Sequence, residues 1–226
     1  PYACSGVLSS AMAMNKLFSK QIYKQNKILT AEYQVLHQSD RQNIKIKPPF
    51  VVKPLSQGSS IGTSIVRNKK QIKKALTTAY KLEKDILIEK YIDGREVTVG
   101  VLGNNKPKAL PVIEIIPPKG KFFDRDVKYN GSTQEIIPAK ISQKLTKKVQ
   151  EIAIRAHLAL NCEVLSRTDM IITNSQKAHK NTKIFVLETN TIPGMTSESL
   201  FPKAADKLGI SFPKLLDKLI ELALRK

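Results

Sequence analysis

The fold is decided by residues 187–197, which read Leu187-Glu188-Thr189-Asn190-Thr191-Ile192-Pro193-Gly194-Met195-Thr196-Ser197. Glu188 and Asn190 close one apolar run, and Asp169 borders another, residues 170–172. Short apolar runs of this kind predict buried strands, so we expect each polar side chain at a strand end. Because side chains two residues apart lie on the same face of a strand, all three are expected on one side of a sheet.

Three converging oxygen-bearing side chains indicate a metal site. Mg²⁺ accepts few protein carboxylates and completes its octahedron with phosphate oxygens and water, which suits Asp169, Glu188 and Asn190. The alternative is that these are polar residues at strand ends that only face solvent. That alternative fits any one of them equally well, but two strands with all three residues in phase favour the metal site.

The charge of the chain raises a different possibility. Lys and Arg number 38 against 19 Asp and Glu, a formal net charge of +19, and such an excess is typical of nucleic-acid-binding proteins. The lysines are spread along the whole chain, however, and aromatic residues make up 6% with no Trp, so stacking surfaces are scarce. We therefore expect no nucleic-acid partner, and a basic exterior that favours polyanionic ligands such as ATP.

Location is predicted from apolar runs and cysteines. No apolar run approaches the roughly 20 residues of a membrane span, and no signal peptide opens the chain, so no membrane partner is expected. Cys4 and Cys162 lie far apart and predict buried or half-buried thiols in a reducing cytoplasm. His37, His157 and His179 are scattered, which favours neither a zinc site nor a histidine-based triad.

Periodicity predicts an α+β fold of two units, residues 1–95 and 96–226. The elements expected in the first are a helix over 5–26, strands over 30–36, 50–53, 63–66 and 85–91, a helix after Asn68, and a tight turn at 93–94. Those of the second are an antiparallel pair over 96–102 and 109–116, helices over 142–160 and 212–223, and the two strands described above. The polar stretch 117–139 shows little pattern and is interpreted as a lid.

A phosphate site is indicated by Gly58-Ser59-Ser60-Ile61-Gly62, whose glycines permit close backbone approach to anionic oxygens. Taken alone, this loop fits a plain β-hairpin better. Lys53 changes that interpretation, because a lysine ending an apolar strand must find an anion or reach solvent. Lys16 is a second candidate phosphate contact, with a solvated lysine as the alternative.

With these parts in place, the chain resembles the D-alanine–D-alanine ligases of the ATP-grasp superfamily. The matching stretches are 6–10 through Lys16, 52–54, 58–62, 87–91, 94–96, Asp124, Lys128-Tyr129, 166–169, and 188–196 onward to Ser199. The resemblance covers essentially the whole chain. It implies an ATP-grasp fold in which two α+β subdomains hold nucleotide between their sheets.

The resemblance also implies a role for each site residue. For the cofactors, it implies that Asp169, Glu188 and Asn190 bind two Mg²⁺ ions (Mn²⁺ also accepted), that Lys16, Lys53 and the Ser59 loop contact the ATP phosphates, and that Glu89, the backbone from Lys90 to Ile92, and Glu96 hold adenine and ribose. For the reaction, it implies that Arg167 and the Gly194 N–H face an oxyanion and that Lys128 and Ser199 bind the carboxylate of a second D-alanine. Tyr129 and Ser59 are implied to take part in lid closure. Two departures are Asn15, where the family usually has Asp, and Glu163-Val164-Leu165 in place of a commoner Gly and aromatic stretch.

The activity implied by the resemblance is the ATP-dependent ligation of two D-alanines through an acyl phosphate, for peptidoglycan precursors. Because family members carry another domain before the position of Pro1, we expect this piece alone to bind nucleotide but make little dipeptide. That domain supplies a glutamate-bearing loop, and a homodimer is expected for the full-length protein.

Three alternatives stay open. A related ligase could make D-alanyl-D-lactate or D-alanyl-D-serine, although in the family pattern the depsipeptide makers lack the Lys-Tyr pair seen here as Lys128-Tyr129. A basic nucleic-acid-binding protein with a degenerate ATP fold would instead retain DNA or RNA in a salt-sensitive way. The last alternative is a non-catalytic remnant.

Overall fold

The fold consists of two antiparallel sheets with helices packed on them. The structure, a computed structural model, describes residues 1–40, 43–118, 133–173 and 182–225. The helices are α1 (Val7–Met14), α2 (Lys16–Gln25), α3 (Ile72–Tyr80), α4 (Gln143–Ala159), α5 (Leu200–Asp206) and α6 (Phe212–Leu224). The strands are β1 (Tyr33–His37), β2 (Phe50–Pro54), β3 (Ser64–Val66), β4 (Asp85–Lys90), β5 (Gly94–Leu102), β6 (Lys108–Ala109), β7 (Ile113–Ile116), β8 (Gln134–Ile136), β9 (Leu165–Thr173) and β10 (Ile184–Asn190).

The first sheet has four strands in the order β1-β4-β2-β3. Alternation along its central strands buries Phe50 and Val52 of β2 with Ile86 and Ile88 of β4 in one cluster, against α3. Residues one position away from these in the strands, among them Lys53 and Glu89, therefore belong to the opposite face. The predicted strands of this unit are confirmed, and β1 begins at Tyr33 instead of Thr30.

The second sheet runs β10-β9-β5-β7-β8, with β6 paired to β5. Its central strands bury a row of valines and methionine against α4, including Val97, Val99 and Met170. A second cluster, around Phe201, covers part of the other face beneath α5 and α6. The rest of that face carries Asp169, which lies opposite Thr98 in the pairing of β9 with β5.

Residues 91–93 connect the two sheets, and the chain enters β5 at Gly94. A Cβ atom on Gly94 would lie 2.2 Å from the carbonyl oxygen of Ile172 on β9. Backbone atoms cannot give way at that distance, so the close approach of these strands requires glycine. The sheets thus change at a fixed crossing point next to the predicted domain boundary.

The N-terminal segment corrects the prediction of one helix over 5–26. The helix breaks at Asn15, whose backbone is extended and whose side chain accepts hydrogen bonds from the N–H groups of Leu17 at 3.0 Å and Phe18 at 3.3 Å. Asparagine caps a helix better than it continues one.

Three other predictions need correction. The stretch 117–139 was expected to show little regular structure, but β8 forms in it and pairs with β7; its role as a lid stays a prediction. Asp169 lies inside the nine-residue strand β9, not at its end. The short helix α5 was not predicted, since a seven-residue helix offers too little periodicity to read.

The division into units at residue 95 stays a prediction, with one qualification. Helices α1 and α2 contact β10, so they pack against the second sheet although they precede the first in sequence. Tyr23 and Ile28 accordingly belong to the same apolar cluster as α4. In the part of the chain that the structure describes, no helix combines the length and the apolar character that a membrane span needs.

Candidate active site

A cluster of lysines lies where α2 meets the inner face of the first sheet. Glu89 of β4 is 2% exposed, and its two carboxylate oxygens take separate partners. Lys53 Nζ donates to Oε2 at 2.6 Å, and Lys20 Nζ donates to Oε1. Lys20 also donates to Thr30 Oγ1 at 2.7 Å. Lys16, Lys20, Lys53 and Glu89 are called the lysine cluster below.

The ionisation of this cluster follows from its burial and its pairs. Burial alone would raise the pKa of Glu89, but the charges and hydrogen bonds of Lys20 and Lys53 outweigh it and lower the pKa to about 2. Burial acts to lower the pKa of Lys53, yet attraction to Glu89 and Glu188 raises it overall. Glu89 is therefore a carboxylate, and Lys53 an ammonium, at neutral pH.

Lys16 occupies the first turn of α2, and its side chain reaches the loop after β2. Its Nζ donates to the carbonyl oxygen of Gln57 at 2.6 Å, and its backbone N–H donates to the carbonyl oxygen of Leu55 at 3.0 Å. Lys16 is only 7% exposed, and burial lowers its pKa against the opposing attraction of Glu188. The ammonium therefore stands beside the loop that was predicted to hold phosphates.

That loop folds into a tight turn. Ser59 and Ser60 both have positive φ angles, 51° and 57°. The N–H of Ile61 donates to the carbonyl oxygen of Gly58 at 3.0 Å. Two successive left-handed residues are uncommon outside glycine, so the turn stores backbone strain. Glu83 fixes its N-terminal side by accepting from the N–H groups of Leu55 at 2.9 Å and Ser56 at 3.0 Å.

The second sheet contributes an acidic group on its exposed face. In the pairing of β10 with β9, Glu188 lies opposite Asp169 and Asn190 lies opposite Arg167. Directly opposite residues share a face, so the prediction that Asp169, Glu188 and Asn190 lie on one side of the sheet is confirmed. These three residues and Arg167 are called the acidic face below.

A β-bulge makes this arrangement possible. Val186 pairs with Met170 and belongs to the buried cluster, and the register then shifts before Glu188. In a regular strand Glu188 would share the buried face with Val186, because they are two residues apart. The extra residue of the bulge turns Glu188 to the same side as Asp169.

The acidic face is partly occupied by its own contacts. Arg167 donates to both oxygens of Asp169, at 3.0 and 3.1 Å, and Thr98 Oγ1 donates to Asp169 Oδ1 at 2.5 Å. Asn190 Oδ1 accepts from the N–H of Ile192 at 2.9 Å. These contacts hold the side chains in place on the face of the sheet.

The donor set fits a hard divalent cation. It offers two carboxylates and one amide oxygen, which is the chemistry of Mg²⁺ or Mn²⁺ when phosphate and water supply the remaining ligands. Among the described residues, no three His, Cys, Asp or Glu side chains gather at one point. A zinc site built from three such side chains is therefore not formed in that part of the chain.

Beneath the acidic face lies a layer of buried hydroxyls. Tyr23 donates to Thr189 Oγ1 at 2.8 Å, and Thr189 Oγ1 lies 3.0 Å from Thr168 Oγ1. Tyr23 is fully buried on α2, and its burial raises the pKa of its hydroxyl. This layer ties α2 to the strands that carry Asp169 and Glu188, so the lysine cluster and the acidic face share one support.

Gly194 and Ser199 meet beyond the end of β10. A Cβ atom on Gly194 would lie 2.7 Å from Ser199 Oγ, so glycine allows the two segments to touch. Ser199 Oγ accepts from the N–H of Thr196 at 3.2 Å, just before α5. The structure thus brings these two predicted residues together.

The remaining predicted residues divide into two groups. Lys90 is the last residue of β4; its N–H donates to the carbonyl oxygen of Glu32 at 2.8 Å and its Nζ to the carbonyl oxygen of Lys47 at 3.2 Å, and Ile92 lies in the segment that joins the sheets. Glu96 follows on β5, one position after the ion pair of Arg95 with Glu114. Lys128 and Tyr129 lie outside the described residues, as do Asp124 and most of the predicted lid.

Sequence reasoning missed three residues of the site, Lys20, Glu83 and Thr98. Lys20 lies one helical turn after Lys16, a spacing that places both on one side of α2. That signal was available, but most lysines are solvated, and only the structure places Lys20 in the interior. Glu83 and Thr98 act through loop and register contacts that no sequence pattern marks.

Comparisons with known proteins agree with this geometry. The family model described as D-ala D-ala ligase C-terminus matches residues 22–221. The D-alanine–D-alanine ligase of Syntrophobacter fumaroxidans is 50% identical over an alignment 231 residues long, which covers 99% of this chain and 72% of that protein.

Solved structures give the same result. The D-alanine–D-alanine ligase of Bacillus anthracis complexed with ATP superposes with a TM-score of 0.81 at 33% identity, over 100% of this chain and 69% of that one. The VanG D-Ala:D-Ser ligase of Enterococcus faecalis superposes with a TM-score of 0.85 at 31% identity, over 98% of this chain and 65% of that one. The chain therefore belongs to the D-alanine–D-alanine ligase family of ATP-dependent ligases and has its ATP-grasp fold.

Proposed function

We propose that this chain binds ATP and serves the ligation of two D-alanine molecules into D-alanyl-D-alanine, a precursor of peptidoglycan. The observation that carries the proposal is the pairing of the lysine cluster with the acidic face. Tyr23 of α2 donates to Thr189 of β10 at 2.8 Å, and Lys20 of α2 donates to Thr30, which in turn donates to the Val186 carbonyl oxygen of β10, so the helix that carries the lysines is held against the strand that carries Glu188. Cations on one side and carboxylates on the other suit a triphosphate that arrives with divalent metal.

In the first step, a carboxylate oxygen of one D-alanine attacks the γ-phosphorus of ATP. The bond from that phosphorus to the β-phosphate oxygen breaks, and ADP leaves with the electron pair. Both reactants are anions, so their approach requires positive charge. Lys53 and Lys16 supply it: Lys53 is held in place by Glu89, and Lys16 exchanges its Gln57 carbonyl for a phosphate oxygen.

In the second step, the amine of the other D-alanine attacks the acyl carbon. A C–N bond forms, the C–O bond to phosphate breaks, and the amine loses a proton. The carbonyl oxygen becomes negative on the way, so donors aimed at it speed the reaction. We assign this role to Arg167 and the Gly194 N–H, with Ser199 and Lys128 binding the carboxylate of the incoming D-alanine.

Asp169, Glu188 and Asn190 would hold Mg²⁺, or Mn²⁺ in its place, and the ion would neutralise charge on the triphosphate. Arg167 keeps Asp169 oriented through its two hydrogen bonds, and Thr98 adds a third. We further propose that Ser59 and Tyr129 join in closing the site against water, and that Glu89, the backbone from Lys90 to Ile92, and Glu96 lie along the adenosine. A cytoplasmic location and a full-length homodimer stay predictions.

D-Serine is the second candidate for the incoming substrate, because a D-Ala:D-Ser ligase superposes on this chain with a TM-score of 0.85, against 0.81 for a D-alanine ligase, although the 50% identity to the Syntrophobacter fumaroxidans enzyme favours D-alanine. By family pattern, the Lys128-Tyr129 pair favours a dipeptide product over the depsipeptide that D-lactate would give. A panel of D-alanine, D-serine and D-lactate, each tested as the acceptor with labelled D-alanine, separates the three products.

The proposal is tested first on nucleotide binding. The purified chain is titrated by calorimetry with ATP and with adenosine, each with and without Mg²⁺. We expect ATP to bind in a Mg²⁺-dependent manner and adenosine to bind weakly in both conditions. The full coding sequence is then tested for ADP release that depends on D-alanine and yields the dipeptide. Equal affinity for ATP with and without Mg²⁺, or ADP release indifferent to D-alanine, would contradict the proposal.

A further inference from the structure

Lys20 is the one member of the lysine cluster to which no role has been given so far. Its side chain is fully buried, and its ammonium contacts Glu89 Oε1 and Thr30 Oγ1. Burying an ammonium is expensive, and a packed apolar side chain is often as stable in its place. Fold stability alone is therefore a weak reason for a lysine at this position.

The geometry of Glu89 separates its two lysines. Lys20 pairs with Oε1 and is buried, whereas Lys53 pairs with Oε2 and keeps 13% of its side chain accessible. Glu89 with Lys53 alone would be a neutral pair. With Lys20 added, the group carries a net positive charge, and of its two cations Lys53 is the one that is partly accessible.

Lys20 also links the cluster to the strand that carries Glu188. Thr30 Oγ1, which accepts from Lys20, donates to the carbonyl oxygen of Val186 at 3.0 Å. The N–H of Val186 in turn donates to Leu29 at 2.8 Å. Val186 is the residue just before the bulge that turns Glu188 toward the site. One chain of contacts thus runs from Glu89 through Lys20 to the acidic face.

We propose that Lys20 is a positioning residue for nucleotide phosphates: it neutralises Glu89 from the buried side, so that the charge of Lys53 stays available to the triphosphate. This inference rests on the proposed function, because it assumes that the anion at Lys53 is ATP. It assigns Lys20 no contact with substrate.

The test separates phosphate binding from adenosine binding. The Lys20→Met variant removes the charge at similar length, and dissociation constants for Mg-ATP and for adenosine are measured by calorimetry. We expect the ATP value to rise about tenfold, because Glu89 without Lys20 pairs fully with Lys53 and leaves no net positive charge for the triphosphate, while the adenosine value is unchanged. Lys24→Met is the matched control, because Lys24 lies one turn further along α2 and is exposed, and it should change neither value.

A double-mutant cycle shows whether Lys20 acts through Glu89. In a Glu89→Gln background there is no carboxylate to neutralise, so adding Lys20→Met should leave the ratio of adenosine to ATP dissociation constants unchanged. The cycle also serves if Lys20→Met alone does not fold, because Glu89→Gln removes the buried charge left unpaired.

The outcomes separate this inference from the proposed function. A folded Lys20→Met protein with an unaltered ratio would overturn the role of Lys20 and leave the proposed function standing. So would a tenfold loss in the Glu89→Gln background, or equal losses for ATP and adenosine. A wild-type chain that binds ATP no better than adenosine would overturn both.

Discussion

The lysine cluster and the acidic face hold their charges in opposite ways. In the lysine cluster, Glu89 is buried between two ammonium groups, so the positive side of the site is assembled by the protein alone. In the acidic face, Arg167 and Thr98 take up Asp169, and among the described residues no ion pair engages Glu188. The difference indicates that the first region is preorganised, and it fits the proposal that a cation arriving with the ligand completes the second.

The largest loss of ATP binding is expected when the acidic face loses a negative charge. In Glu188→Gln, a carboxylate ligand becomes an amide, and we expect Mg²⁺-dependent ATP binding to fall by at least about a hundredfold. The fold should persist, because Glu188 is half-buried and holds no ion pair in the described part of the chain. The measurement is the shift in melting temperature on adding Mg-ATP, and an undiminished shift would remove Glu188 from the metal site.

The lysine cluster should make the free energy of unfolding depend on pH in the acidic range. The pKa of Glu89 lies near 2 in the folded protein and near 4.5 when unfolded, so its pairing stabilises the fold above pH 4.5 and this contribution disappears as pH falls toward 2. A shift of this size corresponds to about 3 kcal/mol. Urea unfolding of wild type and Glu89→Gln between pH 7 and 3 should give curves whose separation narrows in acid.

The difference between the two proteins is the informative quantity. Burial lowers the pKa of His157 to about 4 from 6.5, so both proteins also lose stability between pH 6.5 and 4 as this residue becomes protonated. That slope is common to both and cancels. Parallel curves across the whole range would mean that Glu89 is not held as a carboxylate by its lysines.

The smallest effect concerns the residue that places the lysines. Asn15 caps α2, so Asn15→Ala should lower the free energy of unfolding by about 1 kcal/mol and loosen the turn that carries Lys16. Asn15→Asp keeps an acceptor at the cap and should match wild type. Urea unfolding of the three proteins checks this, and equal stability of Asn15→Ala would show that the cap does not hold the start of the helix.

Much of this architecture could be predicted from the sequence. The apolar runs of β2, β4, β9 and β10 and the amphipathic helices gave their elements directly, because burial on one face leaves a readable period. The placement of Asp169, Glu188 and Asn190 on one side of a sheet was also predicted correctly, although the reasoning assumed strand ends and regular alternation.

What could not be predicted depends on contacts between distant residues. The bulge that turns Glu188 outward leaves no mark in residues 184–190, since any of them could be the extra one. Lys20 is a lysine among 38 Lys and Arg residues, and its burial depends on Glu89, 69 positions away. The break at Asn15 could have been found, because asparagine before a helical run is a start signal.

The central claim is that the lysine cluster and the acidic face bind one triphosphate between them. A crystal structure of the chain with Mg²⁺ and a non-hydrolysable ATP analogue tests it most directly. We expect Lys16 and Lys53 on phosphate oxygens, and metal density among Asp169, Glu188 and Asn190. A triphosphate bound elsewhere, or those three side chains turned away with no metal among them, would contradict the account.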